Sequence, residues 1–289
     1  MRGNVWSVDN FNDEFKLSVK KDNPDPSIRV ISLGAGVQSS TMMFLAHDGI
    51  IKNVDAAIFA DTGNEPKAVY EYLDLLKKKV GSKIPIHVVS KGNIYDDAIA
   101  DKVPGTTKGF PTMPLFIKNN KGGRSMGMRQ CTNDYKIQPL YKKIRELVGV
   151  KSMRYESAEI LMGISYDEQQ RAKTPRLQWP VHVYPYLNAK ITRQDCLEYY
   201  ESRDLGTPPR SACIICPYKT DKEWYETKKN QDEWQMAVDF DEKVRNINDK
   251  ENYLHPSLKP LKEFPYKDLD DKEYVPSLSM DDCEGMCGL

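Results

Sequence analysis

Two cysteines stand two residues apart in the segment Cys213-Ile-Ile-Cys216-Pro217. Thiolates at this spacing before a proline are a natural chelate for an iron–sulfur cluster or a zinc ion. The alternative is a pair of ordinary buried cysteines. The N-terminus lacks the apolar core of a signal peptide, so we expect a cytoplasmic protein with reduced thiols, in which metal binding explains the pair better than a disulfide.

The other cysteines have different surroundings. Cys283 and Cys287 lie near the C-terminus, where a flexible tail could fold over a site, ligate a metal or supply a nucleophile. Cys131 precedes a segment with helical periodicity. Cys196 lies on a predicted amphipathic helix, where a core position is expected.

A glycine-containing turn, Ser32-Leu33-Gly34-Ala35-Gly36-Val37-Gln38-Ser39-Ser40, follows a run rich in β-branched residues. Its glycines let the backbone turn sharply and approach a ligand, and its two final serines open a helix whose free N–H groups attract phosphate. The turn has neither the Gly-Lys-Ser/Thr ending of the common mononucleotide loop nor the third glycine of a dinucleotide fingerprint. It predicts a site for an anionic ligand, with a purely structural turn as the alternative.

Two further groups of polar residues follow apolar runs. The carboxylate of Asp61, in Asp61-Thr62-Gly63, could receive a ribose or adenine donor, or it could cap a turn. Arg171 and Arg176, with Lys173 between them, could clamp a sulfate or phosphate group. A solvated charged loop is the alternative for the second group.

The elements that must position these residues alternate between strands and helices. Strands are predicted at 28–33, 54–60, 84–89, 159–164 and 181–187. This order predicts an α/β fold with a mostly parallel sheet of five or six strands and helices on both faces, and its ligand lies at the carboxyl ends of the strands. The glycine turn, Asp61 and Gly163 all fall at such ends.

Local signals place several helix starts. Asn64 suits an N-cap with Pro66 in the first turn, and Pro139 suits the first turn of a later helix. Thr192 with Asp195 suits another start, and Thr220 with Glu223 has the spacing of a capping box.

We predict three regions in the chain of 289 residues. Residues 1–27 form a polar N-terminal arm, and residues 28–219 form the α/β domain. Within that domain, the prolines and glycines of 91–128 predict a mobile loop or lid. Residues 220–289 form a helical and irregular C-terminal extension that ends in the cysteine-containing tail.

The bulk composition excludes some classes of protein. The 42 basic and 42 acidic residues cancel, which argues against a general nucleic-acid-coating protein. No stretch approaches the roughly 18 to 20 continuous apolar residues that span a bilayer, so no membrane partner is expected.

Taken together, these segments resemble the adenylyl-sulfate and phosphoadenylyl-sulfate reductase family, within the adenine nucleotide α-hydrolase (PP-loop ATP pyrophosphatase) superfamily. The resemblance covers about residues 28–220 and the last seven residues, 283–289. Within these seven, Met286-Cys287-Gly288-Leu289 is similar to the family's terminal segment with its catalytic thiol. The sequence as a whole is similar to phage and prophage proteins of this type. Two segments, 130–140 and 213–216, match those that hold a [4Fe-4S] cluster in cluster-bearing members.

The resemblance implies roles for individual residues. Cys131, Cys213 and Cys216 would be metal ligands, Lys136 and Arg171 would act at the substrate, and a Cys287 thiolate would be the nucleophile. Gly163 begins the segment 163–171, which is similar to the family's substrate-contacting segment. The bound nucleotide would be ATP or an adenylyl sulfate, and Mg²⁺ could accompany it.

The sequence also departs from the family pattern. Gln130 stands where cluster-bearing reductases have a further cysteine, so Cys283 would supply the fourth ligand or one iron would stay open, as in sulfur-transferring tRNA-thiolation relatives. Zinc is the alternative metal. Gln38 replaces the aspartate of the ATP-pyrophosphatase loop, and the chain ends at Leu289 without the family's final histidine.

Three functions follow from this pattern. The first is a reductase-like enzyme that would use a thioredoxin-like electron donor. The second is an ATP-dependent sulfur transferase that releases pyrophosphate, with a nucleobase in tRNA or DNA as the acceptor. The third is a nucleotide-binding protein that keeps the fold and a structural metal without catalysis.

Overall fold

The computed structural model describes residues 5–20, 25–100, 113–119, 123–203, 205–247 and 250–263. In chain order, the strands are β1 (Phe15–Leu17), β2 (Ile28–Leu33), β3 (Ala56–Asp61), β4 (Ile86–Ser90), β5 (Phe116–Lys118), β6 (Arg124–Met126), β7 (Ala158–Leu161), β8 (Pro180–Tyr184) and β9 (Glu251–Tyr253). The helices are α1 (Val37–His47), α2 (Lys67–Val80), α3 (Ile94–Ile99), α4 (Gln138–Val148), α5 (Pro185–Asn188), α6 (Arg193–Glu201), α7 (Asp221–Lys229) and α8 (Gln231–Lys243).

The main sheet has six strands in the order β1-β8-β7-β2-β3-β4. Its other five strands run parallel to one another, with β2 paired to both β3 and β7, while β1 is antiparallel to β8. The sheet is therefore mostly parallel, which confirms the predicted fold. The carboxyl ends of β2, β3 and β7 meet at one edge, where the glycine turn, Asp61 and Gly163 lie.

The N-terminal arm supplies the antiparallel edge strand β1, which pairs with β8 from Phe15 opposite Tyr184 to Leu17 opposite His182. An ion pair connects β1 to the parallel strands: Lys16 of β1 pairs with the buried carboxylate of Glu159 in β7, which also pairs with Arg29 of β2. Three residues with no clear alternation carry too little periodicity for the sequence to reveal this strand.

Helices cover both faces of the main sheet, as predicted. One apolar core lies beneath α1, α2 and α6, and it includes Cys196, which is fully buried as expected. The other lies beneath α4, through Leu140, Tyr141 and Ile144. Among the described residues, no helix is long and apolar enough to cross a membrane.

A second sheet joins the loop region to the C-terminal extension. Its strand order is β6-β5-β9, and Phe116 of β5 is opposite both Met126 of β6 and Tyr253 of β9. A third apolar cluster, which includes Trp224 of α7 and Phe240 of α8, packs beside it. The extension therefore pairs with a strand that lies inside the sequence-predicted lid, residues 91–128.

Capping residues that are close in the sequence predicted most of the helix starts described here. Both capping boxes form, at Thr192 with Asp195 and at Thr220 with Glu223, and Pro139 lies in the first turn of α4. The N-cap prediction for Asn64 is wrong, because α2 begins at Lys67 after Pro66. The Asn64 side chain instead accepts a hydrogen bond from the backbone N–H of Ile215, a long-range contact that local sequence cannot show.

A buried aspartate in α8 attaches the last described residues of the extension. Asp241 accepts hydrogen bonds from the backbone N–H groups of Leu254 (2.8 Å) and Leu261 (3.0 Å), and it pairs with Arg245. We expect Asp241→Ala to lower the free energy of unfolding by about 3–5 kcal/mol, because it leaves a charge and two N–H groups unpaired. Urea denaturation measures the change.

Asp239→Ala is the matched control, since Asp239 accepts its hydrogen bond from Gln235 in an exposed contact. We expect it to change the free energy of unfolding by about 0.5 kcal/mol at most. Equal losses in the two variants would contradict the assigned role of Asp241.

Candidate functional site

The glycine turn connects β2 to α1 at the carboxyl edge of the sheet. Ala35 adopts a left-handed backbone conformation (φ 58°), and Gly36 precedes the first residue of α1. The hydroxyl of Ser39 accepts a hydrogen bond from the N–H of Gly34 at 3.2 Å, which closes the turn on itself. Ser32, Ser39 and Ser40 are all buried.

Gln38 joins a buried polar network beside this turn. Its side-chain amide donates to Glu168 at 3.0 Å and accepts from Arg193 at 3.1 Å. Its backbone carbonyl accepts a hydrogen bond from Tyr186 at 2.8 Å. Gln38 therefore fixes the start of α1 against the segment after β7, a role separate from the predicted nucleotide contact.

Arg171 belongs to the same network. Its guanidinium pairs with Glu168 at 3.0 Å, and both side chains are largely buried. Glu168 therefore offsets the positive charge that a sulfate or phosphate clamp would use. This pairing connects Arg171 to Gln38 through one shared carboxylate.

Gly163 lies where β7 approaches the first turn of α1. A Cβ atom at this position would stand 3.0 Å from the backbone nitrogen of Ser39 and 3.1 Å from its Cα. Backbone atoms cannot rotate away as a side chain can, so a substitution here must displace α1 itself. The glycine is required for this close packing.

We expect Gly163→Ala to lower the free energy of unfolding by about 1–3 kcal/mol, as overpacking does, and to weaken nucleotide binding by shifting the glycine turn. Urea denaturation and calorimetric titration measure the two effects. Gly127→Ala is the control, because its Cβ would meet its nearest neighbours at 3.5 Å, an ordinary contact. A stability of Gly163→Ala equal to that of the control would refute this explanation.

Asp61 ends β3 and caps the following turn. Its Oδ1 accepts hydrogen bonds from the N–H of Gly63 at 2.8 Å and the hydroxyl of Tyr70 at 2.9 Å. This is the turn-capping alternative that the sequence left open. It orders the turn that leads to Glu65, a residue that the sequence motifs do not single out.

Three of the predicted metal ligands lie close together. Cys131 precedes a π-helical turn, Thr132–Ile137, which continues directly into α4. π-Helical turns are rare and often occur at functional sites. Cys213 and Cys216 lie in a tight turn in which the N–H of Cys216 donates to the carbonyl of Cys213 at 3.1 Å. A thiolate charge on Cys216 would act on both Cys131 and Cys213.

Lys136 lies among these thiols in a buried position. Burial disfavours its charged form, but Glu65 and the three cysteines outweigh this effect and raise the pKa of the ammonium group. In the described part of the chain, its Nζ makes no ion pair with Glu65. A buried ammonium without such a partner favours a site for an anionic ligand.

Two of these thiols have raised pKa values. Burial raises the pKa of Cys213 well above its ordinary value, and the adjacent Glu65 adds to the effect. Burial also raises the pKa of Cys131. The Cys213 thiol lies 3.2 Å from the hydroxyl of Thr62 and donates to Glu65 at 3.8 Å.

These three cysteines meet only part of what a metal centre needs. Three cysteines supply suitable donor chemistry, yet the described residues contain no group of three or more Cys, His, Asp or Glu side chains placed to hold a metal ion. The Cys213 sulfur is directed toward Thr62 and Glu65. Cys283 and Cys287, the other predicted ligand and the predicted nucleophile, lie outside the described residues.

A narrow cleft connects the glycine turn to Lys136. It is lined by backbone and side-chain atoms of Ser32, Leu33, Gly34, Ile58, Phe59, Ala60, Glu65, Lys136, Leu140 and Ser211. Sequence reasoning missed Glu65 and Ser211, which lie next to motif residues without any diagnostic spacing of their own. Glu65 follows Asp61 by four positions, and this proximity is the one signal that could have indicated it.

Comparison with known proteins gives distant likenesses in structure. No family model matches the sequence, and no curated protein matches it. The phosphoadenylyl-sulfate (PAPS) reductase from Candida auris, in its phosphate complex, has a TM-score of 0.39 at 13% identity, over 64% of this chain and 75% of the reductase. The U34-tRNA thiolase NcsA from Methanococcus maripaludis, solved with its [4Fe-4S] cluster, has a TM-score of 0.35 at 15% identity, over 80% of this chain and 76% of the thiolase.

One solved structure is a reductase of the family named from the sequence, and the other is a tRNA thiolase. At these distances the two structures carry no information on the reaction, which must be inferred from the side chains of the site.

Proposed function

We propose that the chain is an adenylyl-nucleotide-binding enzyme of sulfur chemistry. The observation that carries this proposal is the buried ammonium of Lys136, which lines one cleft together with the glycine turn and lies among three cysteines. The cleft opens at the carboxyl ends of parallel strands, where ligands bind in α/β folds. An anionic group and a sulfur-bearing group can therefore meet at Lys136.

The adenylyl group would lie at the glycine turn. The first N–H groups of α1 have no partner within the helix, and they attract a phosphate at this position. Gly163 lets β7 and α1 approach closely, and the network of Gln38, Glu168 and Arg193 holds the first turn of α1 rigidly. The protein would thus position the phosphate through backbone donors.

A metal centre would be held by Cys131, Cys213 and Cys216, with Cys283 as a fourth ligand or with one open position. A [4Fe-4S] cluster would supply sulfur or polarise the bound ligand, and zinc would serve as a structural alternative. Lys136 would offset the negative charge of the thiolates. Binding would require the Cys213 sulfur to turn away from Thr62 and Glu65.

For the reductase reaction, a Cys287 thiolate would attack the sulfur of an adenylyl sulfate. An S–S bond forms, the S–O bond to the phosphate breaks, and the nucleotide leaves with that electron pair. A thioredoxin-like dithiol would then reduce the resulting S-sulfocysteine, which releases sulfite, restores the Cys287 thiol and oxidises the dithiol to a disulfide. We expect Cys287→Ser to abolish sulfite release.

The second candidate is an ATP-dependent sulfur transferase. Two observations favour it, namely that Gln130 leaves three cysteines in the two matching segments and that Glu168 offsets the charge of Arg171. ATP, with Mg²⁺, would adenylate a nucleobase acceptor and release pyrophosphate. Hydrosulfide (HS⁻) would then attack the adenylated carbon of the acceptor: a C–S bond forms, the C–O bond breaks with its electron pair on AMP, and the S–H proton is released.

One experiment separates these candidates. Protein purified without oxygen is analysed for iron, sulfide and zinc, and is then assayed with an adenylyl sulfate and, separately, with ATP and tRNA. Cys287-dependent sulfite indicates the reductase, and tRNA-dependent pyrophosphate indicates the transferase. Tight nucleotide binding without either product would leave the non-catalytic nucleotide-binding protein and refute the proposed enzyme.

A further inference from the structure

The cysteine turn, residues 213–216, is held by Asn64, which lies in the turn after β3. The backbone N–H of Ile214 donates to the Asn64 carbonyl at 2.8 Å, and the backbone N–H of Ile215 donates to its side-chain oxygen Oδ1 at 3.3 Å. The next N–H, that of Cys216, donates to the carbonyl of Cys213. Three successive N–H groups of the cysteine turn are therefore bonded to oxygen.

Asn64 is itself fixed in place by its neighbours. It is only 4% exposed, and its amide nitrogen donates to the sulfur of Met236 in α8 at 3.2 Å. The preceding Gly63 has φ 71°, and a Cβ atom there would stand 2.9 Å from the Cα of Asn93. The Asn93 side chain also donates to the Gly63 carbonyl at 3.0 Å. The oxygen that faces Ile215 is therefore rigidly placed.

These hydrogen bonds have a consequence for the cysteine sulfurs. A backbone N–H two residues after a side-chain acceptor lies within its reach, so the N–H of Ile215 is a natural donor to the Cys213 sulfur. Hydrogen bonds to sulfur withdraw electron density from it and raise the reduction potential of an iron–sulfur cluster. In this structure Asn64 takes that N–H, and the Cys213 sulfur lies against Thr62 and Glu65 instead.

We propose that Asn64 is a positioning residue for the metal centre, which keeps the N–H of Ile215 away from the Cys213 sulfur and so keeps that sulfur a strong electron donor. The inference rests on the metal centre of the proposed function. It predicts a cluster with a low reduction potential, or a zinc site with strongly donating thiolates. This role is separate from that of the ligands, because Asn64 acts only through the backbone of the turn.

The test uses the full-length chain, purified without oxygen, and measures the reduction potential of its cluster. Asn64→Ala removes the amide but keeps the backbone carbonyl that binds Ile214, so the turn stays attached. Since Ile215 is fully buried, its N–H has no water to bond and should turn to the Cys213 sulfur. We expect a more positive potential, with about 3- to 10-fold more reduced than oxidised cluster at the wild-type midpoint, the effect of one hydrogen bond.

A second measurement applies whether the bound metal is iron or zinc. The metal-free chain is titrated with Co²⁺, whose absorption includes charge transfer from thiolate sulfur. An N–H bond to sulfur lowers the energy of the sulfur electrons. The charge-transfer band of Asn64→Ala should therefore lie at shorter wavelength than the wild-type band.

Three further variants make the result decisive. Asn64→Asp keeps an acceptor for Ile215 and loses the donor to Met236, so it should show neither shift. Asn64→Leu, of similar size and without an acceptor, should show both shifts and serves if Asn64→Ala does not fold. Asn252→Ala removes another buried asparagine, whose amide binds three carbonyls between α8 and β9, and it should keep the wild-type potential and band. Thermal unfolding checks that each variant is folded.

The failures of this inference and of the proposed function are distinguishable. Metal-bound Asn64→Ala and Asn64→Leu with the wild-type potential and band would overturn the inference and leave the proposed function standing, as would an equal shift in Asn252→Ala. Loss of metal from both Asn64 variants would also overturn it, since Asn64 would then hold the turn together without tuning its sulfur. A wild-type chain that binds none of iron, zinc and Co²⁺ would contradict the metal centre of the proposed function and, with it, the inference.

Discussion

Replacement of Lys136 by methionine is expected to reduce kcat/KM with the adenylyl substrate by about 100- to 1000-fold, the usual cost of removing one buried donor that stabilises developing negative charge. The ammonium stays charged because Glu65 and the three cysteines raise its pKa despite its burial. Methionine has a similar length and no charge, so the variant removes the electrostatic contribution with little change in volume. Steady-state assays of sulfite release, for the reductase reaction, or of pyrophosphate release, for the transferase reaction, measure the loss.

The control for this variant is Lys142→Met, on the exposed side of α4. It should retain wild-type activity, since an exposed lysine there does not contact the cleft. Thermal unfolding of both variants separates an effect on the site from an effect on the fold. A Lys136→Met enzyme with wild-type kcat/KM would remove Lys136 from the proposed mechanism.

A Cys213→Ala variant is expected to lose most of its bound iron or zinc after purification without oxygen. The thiol is one of three in the proposed centre, and loss of one of few ligands weakens metal binding strongly. Metal analysis measures the content per chain, and the visible absorption of an iron–sulfur cluster provides a second readout. Both are independent of catalytic activity.

Cys196→Ala is the matched control for the cysteine experiment. Cys196 is fully buried in the core beneath α6, and burial raises its pKa to about 12, which keeps it protonated and inert. This variant should keep the wild-type metal content. If Cys213→Ala holds as much metal as Cys196→Ala does, the three cysteines do not form a metal centre.

Local patterns predicted most of the fold and the location of the site. The run at Ile28–Leu33, the capping boxes of α6 and α7, and the glycine turn are each encoded within a few residues. Parallel order then brings the strand ends together, so the edge of the sheet that carries the site follows from the sequence as well.

What the sequence could not predict depends on contacts between distant segments. The amide of Gln38 meets Arg193, which is 155 positions away, and this partner is invisible to a motif that spans nine residues. Glu65 becomes notable only because folding buries it beside Cys213 and leaves one oxygen without a partner. Burial and the lack of a partner are properties of the packed chain, and the proximity of Glu65 to Asp61 in the sequence reveals neither of them.

The π-helical turn at Thr132–Ile137 has an evolutionary consequence. Its widened geometry, with the N–H of Gln138 bonded to the carbonyl of Asn133, accommodates one residue more than an α-helical turn would. Deletion of a single residue there would restore α-helical geometry and leave Cys131 on nearly the same side of α4, because the wider turn absorbs that residue. Relatives of this chain that lack the wider turn should therefore be one residue shorter between Cys131 and Pro139 and still present the thiol beside Lys136.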